Sequence, residues 1–174
     1  MTLLRSLFTA ALLLLAANPA FAQTGITPPF GTADKAMLMI GFAFIGIGIL
    51  SSGYALSISL SAYAACDKDR RGAAFIPAVM PGSQGLYSFA IGFLMIGTYQ
   101  AGWGDPQVSF KVALAGILCG LPCLFSALGQ AKTAAACIKS INNGQMDQGQ
   151  ALLATGVPEL YALVGLAGGF LVMN

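Results

Sequence analysis

The sequence predicts an all-α membrane protein of four membrane-spanning helices, arranged as two duplicated helical hairpins. Three observations predict it. Hydrophobic residues make up 57% of the 174 residues and charged residues only 8%, against about 25% charged in a soluble domain. The few charges fall in short clusters between long apolar runs. The second half of the chain echoes the first. A net charge of only +2 leaves no footprint for nucleic acid.

The first element reads as a cleavable signal peptide over residues 1–22. Arg5 supplies a positive start, Leu7 to Ala17 a short apolar core, and Ala20-Phe21-Ala22 a small-residue cleavage site before Gln23. The apolar run is too short for a membrane helix, which needs about 20 residues.

Four spans follow. No charge occurs from Ala36 to Ala65, from Gly72 to Gly104, or from Val112 to Ala131, and Gln148 to Asn174 holds one, Glu159. Each run is long enough to cross a bilayer as a helix. The first hairpin is expected over 36–100 and the second over 108–174. Asp67 to Arg71, Tyr99 to Lys111 and Lys139 to Asp147 are expected to connect the spans. The first and third connections carry Lys68, Arg70, Arg71 and Lys139, against Lys35 and Lys111 at the other end. The positive-inside bias puts the first and third connections in the cytoplasm and both termini outside. A cleaved signal gives the same orientation. Small residues recur in the spans: Gly41, Gly46, Gly48 and Gly53, then Gly116 and Gly120, then Gly165 and Gly169. In lipid they allow close helix contact, within a chain or between subunits.

The repeat carries the functional signal. Ala64-Ala65-Cys66 recurs as Ala135-Ala136-Cys137, and Gly85-Leu86-Tyr87 stands where the second half has Glu159-Leu160-Tyr161. One carboxylate survives per four helices. Glu159 is the only glutamate of the chain and lies near the middle of the last span. A charge at that depth costs at least about 2.5–3.5 kcal/mol, so the group is protonated, paired or bound to a cation. A chain without histidine lacks the usual neutral-pH base and the commonest metal ligand.

Other polar groups fall at a similar depth. The second span carries Pro77, Met80, Pro81, Ser83, Gln84 and Tyr87, and the third carries Gln130. Pro77 and Pro81 free the carbonyls of Ala73 and Pro77, and the kink can turn the Met80 carbonyl toward a ligand. With Glu159, the oxygens of Met80, Ser83, Gln84 and Gln130 would make a cage for a hard monovalent cation. Tyr87 would hold the carboxylate in place. Hydrogen bonding between helices would also account for Ser83, Gln84 and Gln130. Sodium needs the whole cage; a proton needs only Glu159.

Other leads are weaker. Cys119 and Cys123 are spaced one helical turn apart, not as a redox pair, and with Cys66 and Cys137 read as small apolar residues. Gly129-Gln130-Ala131-Lys132-Thr133 lacks the second glycine and the preceding strand of a phosphate loop. A non-rotary tetraspan channel or structural membrane protein would need no carboxylate. A small secondary transporter would need more room for a solute.

Met80 to Tyr87, Gly129 to Ala136 and Pro158 to Leu163, in that order on a duplicated four-helix frame, resemble the rotor-ring proteolipid of V-type ATPases, the K-type or c-type subunit. The resemblance runs from about Ala36 to Asn174. It implies a bacterial inner-membrane protein without catalysis of its own, assembled with identical copies into a ring. The ring would turn against a membrane stator, coupled through central-stalk subunits to a separate ATP-hydrolysing sector. Each copy would carry one ion, Na+ more than H+, and no other cofactor. In the sodium-type members the ligand roles would fall on Met80, Ser83, Gln84, Gln130 and Glu159, with Tyr87 steadying the carboxylate. The serines of the first span, Ser51, Ser52, Ser57, Ser59 and Ser61, depart from the Gly and Ala of relatives and leave the packing of that span open.

Overall fold

The computed structural model describes residues 32–101 and 105–174. The expected signal peptide lies outside them. Helix α1 spans Thr32–Ala64. A short 3-10 turn, Lys68–Arg70, leads into α2, Arg71–Val79. A second 3-10 turn, Met80–Gly82, passes into α3, Ser83–Ala101. Helix α4 runs Pro106–Asn142 and α5 runs Gln148–Met173. With α2 and α3 forming one interrupted rod, four helical units among the described residues are long and apolar enough to cross a membrane.

Helix α4 overruns its charge-free run, Val112 to Ala131, at both ends. Tyr99 to Lys111 is not one connection: α3 continues to Ala101 and α4 begins at Pro106. Asp105 caps α4 by accepting from the Gln107 N–H at 2.9 Å, and Pro106 suits the first helical position. Lys139 likewise stays helical, since α4 ends at Asn142. The charge-free part of α4 matches the roughly 20 residues that a hydrocarbon core needs, and the helix continues beyond it into the interface, where a lysine is solvated.

Helix α4 is the centre of the bundle, packing most extensively on α1 and then on α5. Glycines set the α1–α4 distance. A Cβ on Gly41 would lie 2.5 Å from the Val112 carbonyl oxygen, and one on Gly116 would strike the Gly41 backbone. On the other side, a Cβ on Gly165 would come within 2.8 Å of the Leu118 carbonyl and the Pro122 ring. These glycines pack within the chain, while Gly46 and Gly53 face open space.

At one end the two short connections are tied together. Asn142 Oδ1 accepts from the Asp67 N–H at 2.7 Å and from the Cys66 thiol at 3.2 Å. Arg71 Nε donates to the Cys66 carbonyl at 3.1 Å. Gly144 takes φ +71° in the second connection, where L side chains are disfavoured. Asp147 and Gln150 then form a capping box that starts α5.

The kink between α2 and α3 explains two serines of α1. In lipid no water can satisfy a freed carbonyl. Ser59 Oγ donates to the Ala78 carbonyl at 2.6 Å, and Ser52 Oγ to the Pro81 carbonyl at 2.8 Å. Ser51, Ser57 and Ser61 bond only to carbonyls of their own helix.

Candidate functional site

Three helices bring polar side chains to one level of an otherwise apolar bundle. The first turns of α3 supply Ser83, Gln84 and Tyr87. The middle of α4 supplies Ser126 and Gln130, and the middle of α5 supplies Thr155 and Glu159. The spacings of three and four residues put each set on one helix face. Gln84, Gln130 and Thr155 are fully buried, and Ser126 nearly so. Glu159 is partly buried, between exposed neighbours Val157 and Leu160.

The carboxyl group accepts on both oxygens. Tyr87 OH donates to Glu159 Oε1 at 2.6 Å, and Gln130 Nε2 to Oε2 at 3.3 Å. Both donors are neutral, so neither balances a charge on Glu159. Gln130 Nε2 also donates to the Thr155 carbonyl at 2.8 Å, and its Oε1 accepts from Gln84 Nε2 at 2.6 Å. Gln84 Nε2 has a second acceptor, Ser126 Oγ, at 3.1 Å. Ser126 Oγ donates in turn to the Pro158 carbonyl at 2.7 Å. Gln84 Oε1 is left buried with no hydrogen-bond partner.

Of the residues singled out from sequence, Gln84, Tyr87, Gln130 and Glu159 form one bonded chain across α3, α4 and α5. Ser83 and Met80 lie at its edge, Ser83 beside Tyr87. Ser83 Oγ donates to the Met80 carbonyl at 2.9 Å, as does the Ser83 N–H. Met80 does reach α5, where Thr155 Oγ1 lies 3.1 Å from its sulfur.

Sequence reasoning missed Ser126 and Thr155. Each precedes a singled-out residue by four positions, Gln130 and Glu159 respectively, and so shares its helix face. That spacing was the available signal.

The chemistry of this donor set is that of oxygen ligands around a hard cation. The group is too poor in acids for a divalent site: among the described residues no three His, Cys, Asp or Glu side chains cluster. One carboxylate with neutral oxygens balances a single positive charge.

Residues 113–172 match the ATP synthase C-subunit family. The chain is 30% identical over 132 residues to the A-type ATP synthase subunit K of Methanocaldococcus jannaschii, covering 74% of this chain and 57% of that one. It is 27% identical over 136 residues to the V-type sodium ATPase subunit K of Enterococcus hirae, covering 75% of this chain and 83% of that one. The chain thus spans little more than half of the archaeal relative. The family match falls on the hairpin that bears Glu159, and both relatives are K subunits. Together with four apolar helices, these similarities identify a multi-pass integral membrane protein that belongs to the V/A-type ATPase proteolipid family.

Proposed function

We propose that the chain is the ion-carrying rotor proteolipid of a V-type ATPase and that Glu159 carries one Na+ per copy. The observation that carries the reading is a carboxyl group accepting on both oxygens from neutral donors, within one bonded cluster with the orphaned Gln84 Oε1. An ionised carboxylate in an apolar span needs a counter-charge. An unpaired buried carbonyl oxygen costs about 1–3 kcal/mol unless a ligand takes it up. A dehydrated Na+ answers both needs, while a proton answers only the first. The Enterococcus relative, named as a sodium ATPase subunit, supports the same choice.

In this reading Gln84, Gln130 and Glu159 supply ligand oxygens, with Ser83 and the Met80 carbonyl completing the cage from the kink. Tyr87 holds the carboxylate. Identical copies form a ring. Glu159 loads from one access path of a membrane stator, crosses the lipid neutralised as the ring turns, and is unloaded by a stator cation. Central-stalk subunits link the ring to the ATP-hydrolysing sector, and the chain catalyses nothing itself. The end carrying Lys68, Arg70, Arg71 and Lys139 faces the cytoplasm of a bacterial inner membrane, with both termini outside. A signal peptide over residues 1–22 precedes the hairpins 36–100 and 108–174. One carboxylate per four helices halves the ions moved per turn, which suits pumping against a steep gradient.

Carbodiimide labelling of Glu159 tests the ion. At fixed pH, added Na+ slows the labelling of this residue if Na+ occupies the site. Labelling indifferent to Na+ leaves the proton as the cargo.

A further inference from the structure

We infer that Ser126 selects the cargo: it fixes the orientation of the Gln84 carboxamide so that an oxygen, not an N–H group, is left for a cation. This deepens the reading of Glu159 as an Na+ carrier and rests on it.

Donors and acceptors decide the orientation. A carboxamide presents two donors on nitrogen and two lone pairs on oxygen, and the ends differ only in hydrogen bonding. Gln130 alone cannot orient Gln84, because its own carboxamide has the same ambiguity. Two backbone carbonyls break the symmetry. The Thr155 carbonyl accepts from Gln130 at 2.8 Å, which makes that end Nε2 and leaves Oε1 toward Gln84. The Pro158 carbonyl accepts from Ser126 at 2.7 Å, which uses the only proton of that hydroxyl. Ser126 Oγ can then only accept from Gln84, at 3.1 Å. Both contacts of Gln84 are therefore acceptors, and both need its nitrogen. Its oxygen is the group left over, buried and unpaired. Reversing the carboxamide would set oxygen against two acceptors and bury two unpaired N–H groups, which repel a cation.

Ser126 is a positioning residue. It needs no contact with the ion, and a proton on Glu159 gains nothing from it. The hydroxyl therefore acts on Na+ and not on H+. Without it, one of the two acceptors that hold Gln84 Nε2 is gone, and the reversed carboxamide becomes populated.

The test uses the full chain assembled in membranes. Two quantities are read: the Na+ concentration that half-protects Glu159 from carbodiimide, and the pH dependence of labelling without Na+. Ser126→Ala is expected to raise the half-protecting Na+ concentration about tenfold or more, the loss of one buried hydrogen bond. The pH profile without Na+ is expected to stay in place. Ser126→Thr, which keeps the hydroxyl, is expected to restore protection. If Ser126→Ala does not assemble, Ser126→Cys, of similar size and a poor acceptor, is read the same way. Unchanged half-protection in the variant lacking the hydroxyl overturns the inference alone, as does an equal shift of Na+ protection and pH profile. No Na+ protection in the unaltered protein overturns the sodium reading and this inference with it.

Discussion

Tyr87, in the first hairpin, holds the carboxylate of Glu159, in the second, at 2.6 Å. The repeat gives Tyr87 a counterpart, Tyr161, but that ring is 70% exposed and turned away from the bundle. Duplication therefore did not produce two like sites side by side. It let one hairpin supply the tyrosine and a glutamine while the other supplies the acid and the second glutamine. The site is complete only when both hairpins are packed together around α4.

Removing the acid and removing its tyrosine should have separable effects. Glu159→Gln is expected to abolish ion transport while the protein still inserts and assembles, because a carboxamide fits the same space without carrying a charge. Tyr87→Phe keeps the ring but removes a hydrogen bond to a charged group, worth about 1.5–3 kcal/mol. The Na+ concentration needed for half-protection of Glu159 is expected to rise by roughly tenfold or more, with transport slowed but measurable. Transport assays in reconstituted membranes and carbodiimide labelling check both, and continued pumping by Glu159→Gln would end the carrier reading.

The serines of α1 give a second prediction, on stability. Ser59 and Ser52 reach the kink carbonyls of Ala78 and Pro81, whereas Ser57 and Ser61 bond to their own helix. Ser59→Ala leaves the Ala78 carbonyl buried with one partner fewer, in lipid where no water replaces it. A loss of about 1 kcal/mol is expected, near the range for hydrogen bonds between membrane helices. Ser52→Ala should cost a similar amount at the Pro81 carbonyl, while Ser57→Ala and Ser61→Ala should cost nothing measurable. Thermal denaturation in detergent, comparing the four single variants, reads the difference.

Close approach of the helices gives a third. Gly116→Ala puts a methyl group into the Gly41 backbone, and neither backbone can yield without separating α1 from α4. Gly165→Ala meets the Leu118 carbonyl and the Pro122 ring at 2.8 Å. Both are expected to destabilise by about 1–3 kcal/mol through overpacking, measured as a lower midpoint of thermal unfolding in detergent. Gly46→Ala and Gly53→Ala have open space and should leave the isolated chain unaffected. Any effect of these two that emerges only on ring formation would mark the face that meets the next copy.

Much of this was legible in the sequence, because lipid makes polar residues conspicuous. Glu159, Gln84 and Gln130 stand out in runs that contain little else polar. Ser126 and Thr155 did not, although their spacing allowed it. Serine and threonine in membrane helices commonly bond to their own preceding turn, as Thr155 does to the Ala151 carbonyl. The same ambiguity hid the difference between Ser59 and Ser57, which only the crossing of α1 over the kink creates. Helix α4 ends beyond its charge-free run because absence of charge marks the hydrocarbon layer and not the end of hydrogen bonding.

The repeat also explains why a second carboxylate cannot simply be put back. Gly85 occupies the position of Glu159, and a Cβ there would lie 3.1 Å from both Cβ and Oγ of Ser52. By the echo of Ala64–Cys66 in Ala135–Cys137, the place of Gln130 in the first hairpin is taken by Ser59, whose hydroxyl is committed to the Ala78 carbonyl. A glutamate at 85 would thus meet a crowded wall and find no carboxamide to bond. Its charge would cost at least about 2.5–3.5 kcal/mol in the apolar layer. Gly85→Glu is expected to lower the yield of inserted protein and to leave carbodiimide incorporation at one label per chain, on Glu159. Two labels per chain, both protected by Na+, would show that the first hairpin still holds a working site.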